Sequence, residues 1–225
     1  MSICYADQKL EKLPIESRLL DEVVVRLVES EAQRHRHDDL LEREHYLRNA
    51  NAIGQVLRYV AEYRGEWVAV LTFCSAALHL KPRDQFLHWP ARRVKERRHL
   101  LAQNSRFLVL PSTGRWPNLA SRVLKLVCAR LAQDWQNQFG HPVLLVETFV
   151  DPQRFRGTCY RATQWQALGQ MRGLRGGAKI TTRTPSIPRS WGCIRWAGGR
   201  CGNRTRRCWR RRCAGAASPC RPRSR

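Results

Sequence analysis

The chain has 225 residues, 43% of them hydrophobic, and carries 41 Lys and Arg against 18 Asp and Glu, a formal net charge of +23. That length allows one ordinary domain with a core, plus an extension. The longest apolar stretch, Trp67 to Leu78, is too short for a bilayer span of about 20 residues, and MSICYADQKLEK lacks the cationic-then-apolar order of a secretory signal, so a cytoplasmic protein with no membrane contact is expected.

Residues 16–31, ESRLLDEVVVRLVESE, place Leu20, Val23, Val24, Leu27 and Val28 on one stripe, which predicts an amphipathic helix. RHRHDD at 34–39 reads as a solvated connection, with a metal cluster of His35, His37, Asp38 and Asp39 as the alternative. Residues 1–39 are thus expected to form an N-terminal helix and connection. VLRYVAEY (56–63) and WVAVLTF (67–73) flank Arg64-Gly65-Glu66 in the pattern of a β-hairpin.

ARRVKERRHLL (91–101) predicts a helix carrying Arg92, Arg93, Lys95, Arg97 and Arg98, with Glu96 as the single acid. These five cations are candidate nucleic-acid contacts that neutralise phosphates without reading bases. The alternative is an exposed helix face. RFLVLP (106–111) predicts a buried strand that stops at Pro111. Asn118 then N-caps a long helix, LASRVLKLVCARLAQDWQNQF, whose stripe uses Leu119, Val123, Leu126, Val127, Leu131 and Trp135 and which Gly140 ends. VLLVETFV (143–150) has the near-continuous apolar run of a central strand. FRGTCYRATQWQAL (155–168) predicts a short helix, and LGQMRG leads into a last strand. This order predicts an α/β domain over residues 40–173, a mixed sheet flanked by helices.

The composition changes at residue 174. Residues 174–225 hold 15 of the cations and none of the acids, five of the nine cysteines and half of the fourteen glycines, with no Val or Phe. So few aliphatic side chains do not offset the entropy of ordering, which predicts a disordered basic tail. Cys193, Cys201, Cys208, Cys213 and Cys220 never form a C-x-x-C knuckle, so no metal site is expected there. The composition also matches a GC-rich gene read out of frame. On either reading, such a segment binds nucleic acid non-specifically at low salt.

Several strings together resemble one family: REHYL (43–47), RDQFLHW (83–89), NSRFLVLP (104–111), PNLASRVL (117–124), VETFVDP (146–152) and GTCYRATQWQALG (157–169). They resemble the Druantia anti-phage system protein A family, whose members also occur beside, or fused to, transposase domains in mobile elements. The resemblance implies a protein acting on or near DNA, with transposase or defence-system proteins as partners and no resident cofactor. Arg48, Gln164 and Met171 stand where the family usually has Gly, Asn and Thr. The family's closing lysine and apolar strand are expected to be missing here, as in a truncated or frameshifted copy, and an inactive pseudogene fragment is a further alternative.

The order strand, loop, long helix, strand, short helix is also similar to the GNAT acetyltransferase core. That resemblance implies an acyl-coenzyme A site at the loop before the long helix, with Gly114 and Asn118 as cofactor-binding candidates and Tyr160 as general acid. The loop lacks a Gly-x-Gly, and Pro117 removes one amide donor. Independently of either resemblance, Glu147 and Asp151 fall at the end of a central strand, where ligands of open α/β sheets collect. With Asp84 they offer a carboxylate set for metal-assisted hydrolysis. The alternative is that Glu147 pairs with an Arg and Asp151 starts the turn before Pro152. Cys159 is a candidate nucleophile with His141 or His99 as base, or else a small core residue. Trp89, Trp116 and Trp165 offer either base stacking or packing.

Overall fold

The run Val23-Val24-Val25-Arg26-Leu27-Val28 folds as a strand, β1 (Val24–Leu27), and not as the helix its stripe predicts. β-Branched side chains are stiff at χ1 and suit a pleated surface, and an eight-residue neighbour is available to pair with. β1 runs antiparallel to β2 (Val56–Tyr63), with Val24 opposite Glu62 and Leu27 opposite Tyr59. This computed structural model describes residues 19–113, 116–171 and 178–183. The chain divides into two units, residues 1–188 and 189–225, and the second lies wholly outside the described residues.

A helix, α1 (Glu31–Glu44), replaces the expected solvated connection and crosses the boundary drawn at residue 39. Ser30 Oγ accepts from the Gln33 amide at 3.2 Å, while the Gln33 side chain accepts from the Ser30 amide at 3.3 Å. This reciprocal box satisfies two donors that a helix start leaves unpaired. His37 is fully buried beneath α1, with Nε2 3.2 Å from the Leu71 carbonyl and Nδ1 2.9 Å from Asp38 Oδ1. Asp38 also accepts from Arg58 Nε and Nη2 at 2.9 and 3.1 Å. Two residues of the metal-cluster alternative, His37 and Asp38, therefore pin α1 to the sheet, while among the described residues His35 meets only Glu31 of the same helix.

The hairpin of β2 and β3 (Glu66–Ser75) forms as expected, and Arg64 and Gly65 take φ of 51° and 84° at its turn, the left-handed pair that matches strand twist. Residues 76–100 then leave the sheet as an insertion. It contains α2 (Lys81–Leu87), α3 (Ala91–Arg97) and a 3-10 turn (Arg98–Leu100). β4 (Leu101–Val109) returns antiparallel to β3. It starts five residues before the apolar run suggests, because Gln103, Asn104 and Ser105 mask the strand pattern.

α4 (Leu119–Phe139) follows, and Gly140 ends it with φ 75°. β5 (Leu145–Val150) lies parallel to β4. α5 (Thr158–Ala162), β6 (Gln166–Met171) and β7 (Ala178–Arg183) complete the sheet, in the order β1-β2-β3-β4-β5-β7-β6. β7 hydrogen-bonds β5 on one side and β6 on the other. The sheet thus continues past residue 173, and a closing strand is present where none was expected. The β-branched triplet Ile180-Thr181-Thr182 supplies strand preference that a count of aliphatic residues misses.

α4 packs one face of the sheet, where Val123, Val127, Leu131 and Trp135 meet Tyr59, Leu71, Phe73 and Val146. Within that face Asp134 is buried, accepting from Tyr59 Oη at 2.9 Å and from Arg130 Nε at 2.6 Å. α1 covers Val60, Trp67 and Val70 on the other face, and α2 lies against β6, with Pro82 3.6 Å from where a Cβ on Gly169 would stand. Arg48 and Gln164 hold left-handed backbone, with φ 43° and 64°, a conformation Gly or Asn adopts at lower cost. Among the described residues no helix is long and apolar enough to cross a membrane.

Candidate functional site

β4 and β5 pair only where Leu101–Asn104 faces Leu145–Thr148. β4 then continues to Val109, so the two parallel strands form a fork. At its base the β3 register shifts, and Ser105 is the extra residue between Asn104 opposite Phe73 and Arg106 opposite Thr72, a bulge that re-aims the strand. Asn104 is the hub. Its Nδ2 donates to the Thr72 and Arg106 carbonyls at 3.2 and 3.0 Å, and its carbonyl accepts from Thr148 Oγ1 at 2.9 Å. Tyr160, presented by α5, donates its hydroxyl proton to Asn104 Oδ1 at 2.8 Å. Trp165 packs edge-on against the Tyr160 ring at 5.0 Å. Burial pushes the Tyr160 phenol well above its ordinary value. Its proton is committed to an internal acceptor, whereas a general acid works best with a pKa near the operating pH.

At the α4 start, Asn118 occupies the N-cap position but has φ 61° and makes no side-chain cap bond. The expected cap is therefore not formed. Gly114 lies outside the described residues. Pro117 offers no amide. The Tyr160 proton is held by Asn104 Oδ1, and residues 114 and 115 of the loop before α4 lie outside the described residues.

The three carboxylates do not assemble. Glu147 is fully buried on β5; its Oε1 accepts from the Ala77 amide at 3.1 Å, and Arg83 Nη1 reaches Oε1 and Oε2 at 3.2 and 3.1 Å. Arg83, equally buried on α2, also donates from Nε to Asp84 Oδ1 at 2.9 Å. Glu147 and Asp84 therefore meet at one guanidinium, which takes the place of a metal cation. Burial holds the Glu147 carboxyl above its ordinary range, against the pull of Arg83. Asp151 stands apart, just past β5. Its Oδ1 accepts from the Gln153 amide at 2.9 Å, and Arg154 lies 3.6 Å from Oδ2. Among the described residues no three His, Cys, Asp or Glu could hold a metal ion.

Among the described residues no contact joins Cys159 to His99 or His141. Burial pushes the Cys159 thiol up, away from the thiolate a nucleophile needs. The rings of His99 and His141 meet edge to face at 5.1 Å, and His141 Nε2 meets Gln55 Oε1 at 3.0 Å. Trp165 is core, and Trp116 packs edge-on against Tyr63 at 4.9 Å.

The insertion differs from the fork. Val94 is the only buried residue of α3. Arg92 pairs with Glu96 at 2.9 Å, and the Arg97 guanidinium lies 5.8 Å from the Trp89 ring centroid. The side chains of Arg93, Lys95 and Arg98 make no hydrogen bond or ion pair among the described residues. Of the residues that organise these sites, sequence reasoning missed Arg83 and Asn104. Each reads as an ordinary polar residue, and only its partner on a distant strand gives it a role.

A family model described as Druantia protein DruA matches residues 8–181. The chain belongs to the DruA family. Membership of this Druantia family associates it with anti-phage defence, and the DruA match reaches into β7. No curated protein matches the chain. Among solved structures, the aminoglycoside acetyltransferase AAC(6')-Ib with ribostamycin and coenzyme A is 14% identical, covering 80% of this DruA-family chain and 100% of its own, with a TM-score of 0.50. The ribosomal-protein-S18-alanine N-acetyltransferase from Escherichia coli is 11% identical over 74% and 96% of the two chains, with a TM-score of 0.47. At such identity the likeness to the first of these, with its TM-score of 0.50, shows the fold alone, a GNAT-like α/β core.

Proposed function

We propose that this DruA-family chain contacts DNA in its defence role through the cations of α3. The single observation that carries the reading is that Arg93, Lys95 and Arg98 have no acidic partner among the described residues. Such side chains neutralise phosphates and release counterions, which gives affinity without base readout. Arg92 and Arg97 flank them. Protein partners of the defence-system or transposase type belong to the same proposal. No reaction and no resident cofactor are assigned.

The test compares the full-length chain with its R93Q/K95Q/R98Q variant on a DNA duplex between about 50 and 200 mM salt. Each lost phosphate contact removes about 0.9 from the slope of log K against log salt, so the variant is expected to lose nearly three. An unchanged slope would assign the binding to the 15 cations of residues 174–225 and end this reading.

A second reading, an acyl-coenzyme A dependent transferase, draws on the fold and on the 21-residue α4 opening directly after the β4 loop. A helix start favours phosphate through its unpaired amides and dipole. The committed Tyr160 proton and the uncapped, left-handed Asn118 weigh against it. Calorimetric titration of acetyl-coenzyme A into the full chain decides: absence of both heat and thermal shift removes the transferase.

A further inference from the structure

The insertion carries a shallow depression beside α3, about 700 Å³ in volume and widely open to solvent. His79, Lys81, Gln85 and His88 line it with exposed side chains, beside the half-buried Trp89 and Asp84 and the buried Leu80. The charge balance is set by α2. The Asp84 carboxylate accepts from Arg83 Nε at 2.9 Å and from the Leu80 amide at 3.4 Å, and Lys81 makes no ion pair among the described residues. Trp89 supplies an aromatic surface next to these donors, and its indole N–H is buried without an acceptor. Chain order makes the hollow continuous with the cationic helix: Trp89 is followed by Pro90 and then α3, and Arg97 reaches back over the Trp89 ring. The pairing of an aromatic surface with a cation and further hydrogen-bond donors is what a base and its phosphate require together.

We propose that this hollow receives one unpaired nucleotide of a DNA strand whose phosphates lie along α3, with the base on Trp89 and the phosphate near Lys81, His79 and His88. The proposal rests on the DNA-contact reading above and adds a preference to it: α3 alone treats paired and unpaired DNA alike, whereas the hollow rewards an extrahelical base. The anchoring of α2 by Arg83 to buried Glu147 keeps the hollow fixed to the sheet. A free nucleotide shares this chemistry and is the rival source of the ligand.

The test uses the full-length chain and two labelled duplexes of equal length, one fully paired and one with a single extrahelical nucleotide, read by fluorescence anisotropy. Wild type is expected to favour the second by about tenfold, the scale of one base stacked on an aromatic side chain. W89A abolishes that preference and leaves the paired duplex unaffected, while W89F retains it; thermal melting confirms that both variants fold. No preference in wild type, or a preference that survives W89A, overturns the hollow. The R93Q/K95Q/R98Q variant weakens both duplexes equally if the α3 reading holds, so a failure there is distinguishable from a failure of the hollow. Saturable binding of deoxyadenosine monophosphate at low micromolar concentration, unaffected by the α3 variant, would overturn the polymeric source.

Discussion

The two faces of the sheet are joined to their helices by different chemistry. On the α4 face an apolar stripe of Val123, Val127, Leu131 and Trp135 interlocks with β2, β3 and β5, and a polar bond set at Asp134 sits inside it. On the other face ionic joints stand beside the apolar contacts of Leu41 with Val60, Trp67 and Val70: His37, Asp38 and Arg58 hold α1, and Arg83 with Glu147 and Asp84 holds α2. Apolar contacts fail one side chain at a time and leave a cavity. A buried ion pair fails as a unit, because removing one partner strands the other charge without water.

The sharpest way to break this comparison is at the two anchors. Trp135→Ala should cost about 3–5 kcal/mol, measured by denaturant unfolding, with no second substitution that restores it. Arg83→Leu should cost a similar ~3–5 kcal/mol because Glu147 is left unpaired, while R83L/E147L should recover most of the loss. A double variant as unstable as the single one would mean that the α2 joint is held by packing after all. These effects are a large fraction of the ~5–15 kcal/mol that holds a domain together.

His45, at the end of α1, adds a pH test to the ionic face. Burial and the charge of Arg106 push its imidazole down to about 4, and its Nδ1 accepts the Leu47 amide at 3.2 Å. The unfolded chain therefore binds a proton that the folded one refuses. Stability should be full above pH 6.5 and fall by up to about 3 kcal/mol as pH drops towards 4. His45→Gln should flatten that part of the profile, and a slope identical to wild type would move the effect elsewhere.

On the α4 face Tyr59→Phe removes a donor to the buried Asp134 carboxylate. A loss of about 2 kcal/mol is expected, smaller than Trp135→Ala because Arg130 still satisfies the charge. The smallest effects concern the two left-handed positions. Gln164→Asn and Arg48→Gly should each raise stability by up to about 1 kcal/mol, since L side chains resist that backbone. Glycine's freedom in the unfolded chain trims the gain at residue 48. Lower melting temperatures would show that the present side chains earn their place through other contacts.

The same contrast governs what the sequence reveals. The α4 stripe, the β2–β3 turn and β5 are readable because apolar period and turn residues encode them locally. α1 was hidden by its charges, although the Ser30-x-x-Gln33 box marks its start. β1 was mistaken for a helix because Leu20, Val23, Val24, Leu27 and Val28 fit a period of 3.6, while their β-branching argues for a strand. β7 escaped notice because its neighbours in sequence are Gly and Arg. Among site residues, the cations of α3 were legible as a dense run. The partnerships of Glu147, Asp84 and Tyr160 were not, since Arg83 and Asn104 reach them across distant strands.

Hydrogen exchange on the full-length chain, with and without a DNA duplex bearing one extrahelical nucleotide, tests the DNA-contact account most directly. The account predicts slowed exchange in peptides covering residues 78–98, the α2–α3 insertion, with the β4–β5 fork unchanged. Protection confined to residues beyond 183, with the insertion exchanging as in the free protein, would contradict it.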